Sequence, residues 1–340
     1  LRAENSGALE RAAAVLTCGS WLFLCLTGRV GLHPSEASAP WLDVRTRSFS
    51  DELVDLYGLD DMRDLVPPVL GDADLCAPLL ETIAAQLGID ANVPVVLAPY
   101  DVVATAAGSG AVEPGSAFCI LGTTLCTGIL ANEVAIAAAP SGLTLLTSEH
   151  GPAMRAFPTL AGTGVLDWLA GIIGASHAAE VTALAAEAPA GAAGLRIWPY
   201  LSPAGERAPF LDGDARGIIT GLTFVHSRAH LARATLEGLA HVVRDCLENP
   251  GVAVTELAVS GGGASSDTWC QVIADVTGVP TTRTRDSQVG AKGALIYAAV
   301  ATGEFASIAE AAAALVDPSD RFEPNAADRA LHDDRHDDFI

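Results

Sequence analysis

The stretch Gly217-Ile-Ile-Thr-Gly221-Leu222, followed after seven residues by His230-Leu-Ala-Arg-Ala-Thr-Leu-Glu237, decides the fold class. Its first half has the short apolar pattern of a β-strand, with two spaced glycines. Its second half spaces apolar residues as an amphipathic helix does. Strand and helix patterns alternate elsewhere too, as in residues 255–260 followed by 266–276. This alternation predicts an α/β architecture.

Composition narrows the class of protein. The chain has 340 residues, half of them hydrophobic, which is enough for two domains and a sizeable core. Its net charge of −22 argues against a nucleic-acid partner, because phosphate backbones are bound by clustered Lys and Arg. Seven cysteines without CxxC spacing do not indicate a disulfide framework, and predict mostly buried thiols in a reducing, cytoplasmic compartment. The apolar run 12–26 is too short to cross a bilayer, and we interpret it as a core helix rather than a signal peptide.

Asp101 is the first candidate for chemistry. It follows the apolar run Val93-Pro-Val-Val-Leu97, which predicts a buried strand. Because α/β proteins bind ligands beyond the carboxyl ends of their strands, a carboxylate here can accept a proton from a substrate hydroxyl. Asp is also a favoured helix N-cap, and the sequence leaves both interpretations open.

A tight turn, Gly122-Thr123-Thr124, lies between two strand patterns, Phe118–Leu121 and Leu125–Leu130. This predicts a hairpin whose turn presents backbone N–H groups and two hydroxyls to phosphate oxygens. The alternative is an ordinary hairpin with polar turn residues.

A glycine segment, Gly261-Gly262-Gly263-Ala264-Ser265, follows the strand pattern 255–260 and precedes a helix pattern. Such a turn allows a ligand to approach the backbone closely. The segment also resembles, imperfectly, the glycine fingerprint of dinucleotide-binding proteins. That fingerprint requires an acidic residue about twenty positions later. The chain has Arg283 and Arg285 there.

The histidines give weaker signals. His226 and His230 have the i, i+4 spacing of helical metal ligands, but without an HExxH pattern, and we assign no metal ligands. His332 and His336 lie in an Asp-rich tail, residues 331–340, which we expect to be solvated and frayed.

Taken in order, these segments resemble the FGGY family of carbohydrate kinases. The run from Tyr200-Leu201-Ser202 through Glu206-Arg207 to Arg216-Gly217 is similar to the family's YLxGER-P and ARG pattern, and the opening stretch follows it. The resemblance implies an actin-like two-domain ATPase fold of the hexokinase/Hsp70 superfamily, with RNase H-like lobes and the first lobe incomplete. It also implies that residues 1–112 are the C-terminal part of the family's N-terminal, sugar-binding domain, and that residues 113–340 are the C-terminal, nucleotide-binding domain.

The resemblance implies roles for the candidates. Asp101 would be the general base, and Tyr100 with Asp101 would contact the substrate. Gly122, Thr123 and Thr124 would contact the ATP phosphates. Gly261, Gly262, Gly263, Ala264 and Ser265 would form the adenosine pocket. The expected activity is ATP-dependent phosphorylation of a sugar or polyol, with ATP and Mg²⁺. The favoured substrates are pentuloses, tetritols and pentitols. A homodimer is possible, and no nucleic-acid or membrane partner is expected.

The chain departs from the family pattern at its start, since residues 1–90 contain no Asp-x-Gly-Thr loop for Mg²⁺ and phosphate. We therefore expect that the natural protein begins upstream and that this chain alone is inactive or very weak. Two other functions stay open, namely a non-catalytic nucleotide- or sugar-binding protein on the same fold, and a dinucleotide-dependent oxidoreductase built on the glycine segment.

Overall fold

A computed structural model describes Gly7 and residues 11–133 and 141–340. The helices of this part are α1 (Cys18–Thr27), α2 (Pro34–Ala37), α3 (Asp51–Leu56), α4 (Glu81–Leu87), α5 (Asp101–Gly108), α6 (Thr163–Ile173), α7 (Ala178–Ala185), α8 (Arg228–Glu248), α9 (Asp267–Thr277), α10 (Val289–Ala301), α11 (Ile308–Leu315) and α12 (Arg329–Asp337). The strands are β1 (Leu42–Asp43), β2 (Ser48–Phe49), β3 (Cys76–Pro78), β4 (Pro94–Val96), β5 (Ser116–Leu121), β6 (Leu125–Ala131), β7 (Leu143–Leu146), β8 (Ala153–Pro158), β9 (Arg196–Trp198), β10 (Ile218–Thr220), β11 (Glu256–Ser260), β12 (Thr281–Thr284) and β13 (Pro318–Phe322). The α/β architecture is confirmed.

The chain divides into two compact units that alternate along the sequence. Unit 1 takes the described residues up to Gly108, then Thr144–Ala153 and Gly290–Leu315. Unit 2 takes the described residues of Ser109–Leu143, then Met154–Val289 and Val316–Ile340. The predicted domain boundary after residue 112 stays a prediction.

Unit 2 is built on a mixed sheet in the order β13-β12-β11-β5-β6-β8. β11 runs parallel to both β5 and β12, and β5 pairs antiparallel with β6. The central strands are apolar on both faces, as with Phe118 and Cys119, which are both fully buried. Strands covered on both faces carry continuous apolar runs, which explains the pattern in the sequence.

Helix α8, which contains the second half of the opening stretch, is the main helix packed on this sheet. Ser227 and His230 form a capping box at its start. Leu236, Leu239 and Val243 recur at helical spacing and are buried in the main core cluster. The helix packs against α7, α9 and β6. The strand and helix predicted from the opening stretch are confirmed as β10 and α8.

Unit 1 has short strands and smaller apolar clusters. The apolar run 12–26 is helical only from Cys18, because the side chain of Thr17 caps α1 there. Phe23 packs with Leu75 and Leu97 in one of the clusters. Of the helices that the structure describes, none is by itself long and apolar enough to cross a membrane, whereas α6 and α7 taken together as a bent pair meet that test.

The expectation of a frayed tail at residues 331–340 is wrong, since residues 329–337 form helix α12. His332, Arg335 and His336 are buried on one face of this helix. Arg335 pairs with the buried carboxylate of Glu237, the last residue of the opening stretch, at 3.5 Å. Because His and Arg count as polar in a hydropathy pattern, the helical spacing of His332, Arg335 and His336 did not predict a buried helix face.

Three histidines buried between α8 and α12, namely His241, His332 and His336, are expected to make the protein less stable in acid. Burial, together with neighbouring His336 and His332, lowers the pKa of His241 to about 2, and burial lowers the pKa of His332 and His336 as well. Arg244 and Arg335 face this cluster and lower the pKa of His241 further, while Glu248 opposes the shift at His336. The folded protein therefore keeps these rings neutral at pH values where the unfolded chain binds protons.

The free energy of unfolding should consequently fall as pH drops below about 6.5, with His241 contributing about 1.4 kcal/mol per pH unit and with His332 and His336 adding to the fall. The measurement is urea unfolding between pH 7.5 and 4.5. His241→Leu should reduce the slope of the unfolding free energy against pH by the contribution of one bound proton, about 1.4 kcal/mol per pH unit. His150→Gln should leave the slope unchanged, because the His150 side chain is 83 % exposed. Equal slopes for wild type and His241→Leu would contradict this account.

Candidate active site

The predicted hairpin is confirmed. β5 and β6 pair antiparallel up to Leu121 and Leu125, so Gly122, Thr123 and Thr124 form the turn between them. Gly122 and Thr123 line a cavity of about 590 Å³ in unit 2. Thr124 is not among the residues that line it. The turn therefore faces a concave space through its first two residues.

A loop that leads into α6 holds the turn in place. The N–H of Thr163 donates to the Gly122 carbonyl oxygen at 2.8 Å, and the N–H of Gly164 donates to the Thr123 carbonyl oxygen at 3.3 Å. Gly162 lies so close to the turn that a Cβ there would be 2.4 Å from the Thr123 carbonyl oxygen. The carbonyl groups of Gly122 and Thr123 are thus satisfied by the start of α6, where Thr163 also lines the cavity.

Glu206, in the Glu206-Arg207 pair of the family-like pattern, anchors this loop. Its carboxylate is buried and accepts hydrogen bonds from the N–H groups of Leu160 at 2.6 Å, Ala161 at 3.2 Å and Arg207 at 2.8 Å. A buried carboxylate is stabilised by such donors. The family-like pattern included Glu206 but did not indicate that its carboxylate holds the loop that leads into α6.

The glycine segment approaches the same cavity from β11. Gly261 directly follows this strand and has φ +87°, a left-handed conformation that favours glycine. Gly263 packs on the Trp269 ring and on Leu121, where a Cβ would lie 2.3 Å and 2.8 Å from their nearest atoms. Gly262 has open space at the Cβ position. The strand, turn and helix predicted here are confirmed, since Ser266 caps α9.

Both predicted glycine turns therefore face one cavity. Gly262, Gly263 and Ser265 line it together with Gly122 and Thr123. Gly261 and Ala264 are not among its lining residues. Its volume lies in the range of small-molecule sites, about 300–1,000 Å³. The resemblance also pointed to Ser266 and Trp269, which line the cavity too. The lining residues that the sequence did not indicate are Leu121, Thr163, Leu166, Asp167, Ala178, Ala179 and Thr182.

Arg283 supports the glycine segment. Its guanidinium donates to the Ala264 carbonyl oxygen at 2.8 Å and pairs with Asp267 at 2.7 Å and Asp320 at 2.8 Å. A dinucleotide site requires an acidic residue in this region to bind the ribose hydroxyls. Arg283 has a structural role instead, which weakens the dinucleotide interpretation.

Asp101 and Tyr100 lie in unit 1, where Asp101 begins α5 and its side chain is exposed. Tyr100 is held from behind, because its N–H donates to the Ser35 hydroxyl at 2.8 Å, and that hydroxyl lies 2.7 Å from the Nδ1 atom of the buried His33. Burial lowers the pKa of His33 to about 3, so the ring stays neutral. This contact fixes the backbone at the entrance to α5.

The strand before Asp101 differs from the prediction. β4 pairs antiparallel with β3 in a two-stranded ribbon, and Pro94 is exposed while Val95 and Val96 are half-buried. The expectation of a buried strand is therefore wrong for most of its length, because a strand in a short ribbon has one open face. Only Leu97, directly after the strand, is buried in a core cluster.

The half-buried histidines His226 and His230 bond the backbone just before and at the start of α8. The Nδ1 atom of His226 accepts from the Thr223 N–H at 2.9 Å, and the Nδ1 atom of His230 accepts from the Ser227 N–H at 3.1 Å. These contacts explain the i, i+4 spacing by backbone capping. Within the described ranges, no three His, Cys, Asp or Glu side chains are grouped as metal ligands would be.

Comparison with known proteins identifies the family. Residues 117–302 match the FGGY family of carbohydrate kinases, C-terminal domain, and residues 1–108 match the N-terminal domain of the same family. The chain belongs to the FGGY family. The resemblance predicted from the motifs is thereby confirmed.

Curated FGGY kinases are similar over most of this chain. The erythritol kinase of Brucella abortus is 30 % identical over 325 residues, which are 91 % of this chain and 62 % of that protein. The xylulose kinase of Escherichia coli is 32 % identical over 309 residues, 87 % of this chain and 61 % of that protein. The chain thus spans about three-fifths of the length of these relatives.

Solved structures share the fold. A ligand-bound xylulose kinase from Lactobacillus acidophilus superposes with a TM-score of 0.89 at 22 % identity, covering 100 % of this chain and 69 % of that one. The xylulose kinase from Rhodospirillum rubrum gives 0.87 at 26 % identity, covering 99 % of this chain and 69 % of that one. The predicted actin-like fold of the FGGY kinases is confirmed.

Proposed function

We propose that the protein transfers the γ-phosphoryl group of ATP to a hydroxyl of a sugar or polyol. The favoured substrate classes are pentuloses, tetritols and pentitols. The observation that carries the proposal is the single cavity faced by both glycine turns, at Gly122-Thr123 and at Gly262-Gly263. Its volume suits a nucleotide. The relatives named above are erythritol and xylulose kinases.

The two turns suit the two ends of a nucleotide. The Gly122-Thr123 turn would hold the phosphates through N–H groups and the Thr123 hydroxyl, with Thr124 supporting the turn from outside the cavity. The segment from Gly261 to Ser265 would hold the adenosine, with the apolar wall that includes Leu166 and Ala178 against the base. Phosphoryl transfer depends on such positioning and on charge neutralisation.

Asp101 would supply the proton transfer. Its exposed carboxylate would accept the proton of the attacking hydroxyl, and Tyr100 would contact the same substrate. Mg²⁺ would arrive with the nucleotide and neutralise charge on the phosphates, since we assign no metal ligands to the protein. The sequence around Asp101 is similar to that of kinases of L-xylulose and erythritol type, which favours those substrates.

The seven cysteines support a cytoplasmic location. The expectation that most of them are buried is wrong, since three of the seven, Cys119, Cys246 and Cys270, are buried, and burial raises the pKa of Cys119 to about 12. Free cysteines persist in reducing compartments.

The test is a panel of pentuloses, pentitols and tetritols, incubated with ATP and the whole gene product, with ADP release measured. Turnover of one or a few members supports the proposal. ADP binding without turnover of any member would favour the non-catalytic binding protein. Tight NADH binding without ATP binding would revive the oxidoreductase.

A further inference from the structure

A chain of buried hydrogen bonds in unit 1 ends at the residue that precedes Asp101. The Tyr100 N–H donates to the Ser35 hydroxyl at 2.8 Å, and this hydroxyl lies 2.7 Å from the Nδ1 atom of His33. His33 and Ser35 are 0 % and 1 % exposed, whereas Tyr100 and Asp101 are exposed. The chain thus joins the interior of the unit to the surface position proposed for the general base.

The donors and acceptors of this chain have one consistent arrangement. The Nδ1 atom of His33 also accepts from the Ser35 N–H, at 3.1 Å, so this nitrogen carries no proton. The Ser35 hydroxyl therefore donates to Nδ1 while it accepts from the Tyr100 N–H. The ring proton lies on Nε2, and burial keeps the ring neutral by lowering the pKa of His33 to about 3. Both bonds of the Ser35 hydroxyl point from Tyr100 towards His33, and hydrogen bonds aligned in this way strengthen one another.

Both ends of the chain are fixed. His33 is the N-cap of α2, and its ring lies edge-on to the Tyr297 ring at 6.1 Å between centroids. The Tyr297 hydroxyl in turn donates to the Thr147 carbonyl oxygen at 3.0 Å. At the other end, the Tyr100 carbonyl oxygen accepts from the Ala104 N–H at 3.0 Å, a bond of the first turn of α5. The backbone of Tyr100 is therefore held on its N–H side by the chain and on its carbonyl side by the helix.

The position of this backbone decides where the next carboxylate lies. A shift at Tyr100 would carry the exposed side chain of Asp101 with it, and a misplacement of about 1 Å can cost about 10²-fold in rate. His33 is fully buried and acts only through Ser35. We propose that Ser35 and His33 are positioning residues that aim Asp101 at the attacking hydroxyl. In this arrangement the Ser35 hydroxyl holds the Tyr100 backbone and the His33 ring orients that hydroxyl. The inference rests on the proposed role of Asp101 as general base.

The first test is the kcat of Ser35→Ala with ATP and the best substrate of the panel, measured on the whole gene product. The value should fall by about 10- to 100-fold. ADP affinity should stay within a factor of about two, because the cavity proposed for the nucleotide lies in unit 2.

Ser38→Ala is the matched control. Ser38 is also buried beside α2, and its hydroxyl accepts from the Leu146 N–H at 2.9 Å and donates to the Pro34 carbonyl oxygen at 2.7 Å. Neither bond involves Tyr100. This variant should lose stability as Ser35→Ala does, but keep kcat within a factor of about two.

Two variants of His33 separate the orienting bond from the filling of space. Asn and Leu have similar size, but only the Asn side chain has an oxygen that can accept from Ser35 as the ring nitrogen does, and Asn is a favoured N-cap. His33→Asn should keep kcat within about threefold of the wild type, whereas His33→Leu should lower it as far as Ser35→Ala. Circular dichroism and thermal unfolding check that each variant is folded.

Wild-type kcat in a folded Ser35→Ala variant, or an equal loss in Ser38→Ala, would overturn the inference and leave the proposed kinase activity in place. The same holds if kcat is unchanged, or lowered equally, in the two His33 variants. A wild type that phosphorylates no member of the panel would overturn both the inference and the proposed function.

Discussion

Asp101→Asn should lower the rate of ATP-dependent phosphorylation by about 10²–10⁴-fold while the affinity for ADP stays within a factor of about two. The amide has nearly the shape of the carboxylate but cannot accept the proton of the attacking hydroxyl. Asp101 is exposed at the start of α5 in unit 1, whereas the cavity proposed for the nucleotide lies in unit 2. The substitution should therefore separate catalysis from nucleotide binding.

The experiment measures kcat on the best substrate of the panel and ADP affinity by calorimetry, both with the whole gene product. Asp90→Asn is the control, because Asp90 is also exposed in unit 1 and its carboxylate accepts from the N–H of Asn92 at 2.8 Å. It should keep normal turnover. If Asp101→Asn keeps more than about a tenth of the wild-type kcat, Asp101 is not the general base.

Local patterns predicted the elements that carry the proposed nucleotide site. Two apolar runs around Gly122 identified the hairpin of β5 and β6, because tight turns have distinctive residues. The run before Gly261 and the cap at Ser266 identified β11 and α9. These features depend on neighbouring residues, so the sequence shows them directly.

Long-range features were not predictable in this way. Glu206 holds Leu160 and Ala161, which are 46 and 45 residues away in sequence. Asp167 lines the cavity from α6, and its spacing on that helix carries no signal of a ligand. Such contacts follow from the order of strands in the sheet, and a single sequence does not give that order.

The C-terminal helix shows a second kind of failure. His332, Arg335 and His336 lie on its buried face, while the Asp-rich composition around them is typical of a solvated tail. Burial of these groups depends on partners in α8, namely Glu237 and His241, about a hundred residues earlier. Composition describes a segment alone and gives no information about its distant partners.

Gly162→Ala should weaken ADP binding by about 5–150-fold, the equivalent of about 1–3 kcal/mol for one methyl group forced into a packed site. The added Cβ would lie 2.4 Å from the Thr123 carbonyl oxygen and 2.5 Å from the Thr124 Cα atom. Both are backbone atoms, so the turn itself would have to move. The φ angle of Gly162 is 177°, which is extended and open to any residue, so the cost comes from the close contact and not from backbone conformation.

Gly164→Ala is the matched control two residues later. Its Cβ would be 3.6 Å from the same Thr123 carbonyl oxygen, an ordinary contact. Because alanine favours helices over glycine, this variant should be as stable as the wild type or slightly more stable, with unchanged ADP affinity. ADP affinity is measured by calorimetry and stability by thermal unfolding. Normal ADP binding by a folded Gly162→Ala variant would show that the Gly122-Thr123 turn does not hold the phosphates, whereas weaker binding by both variants would assign the effect to α6 as a whole.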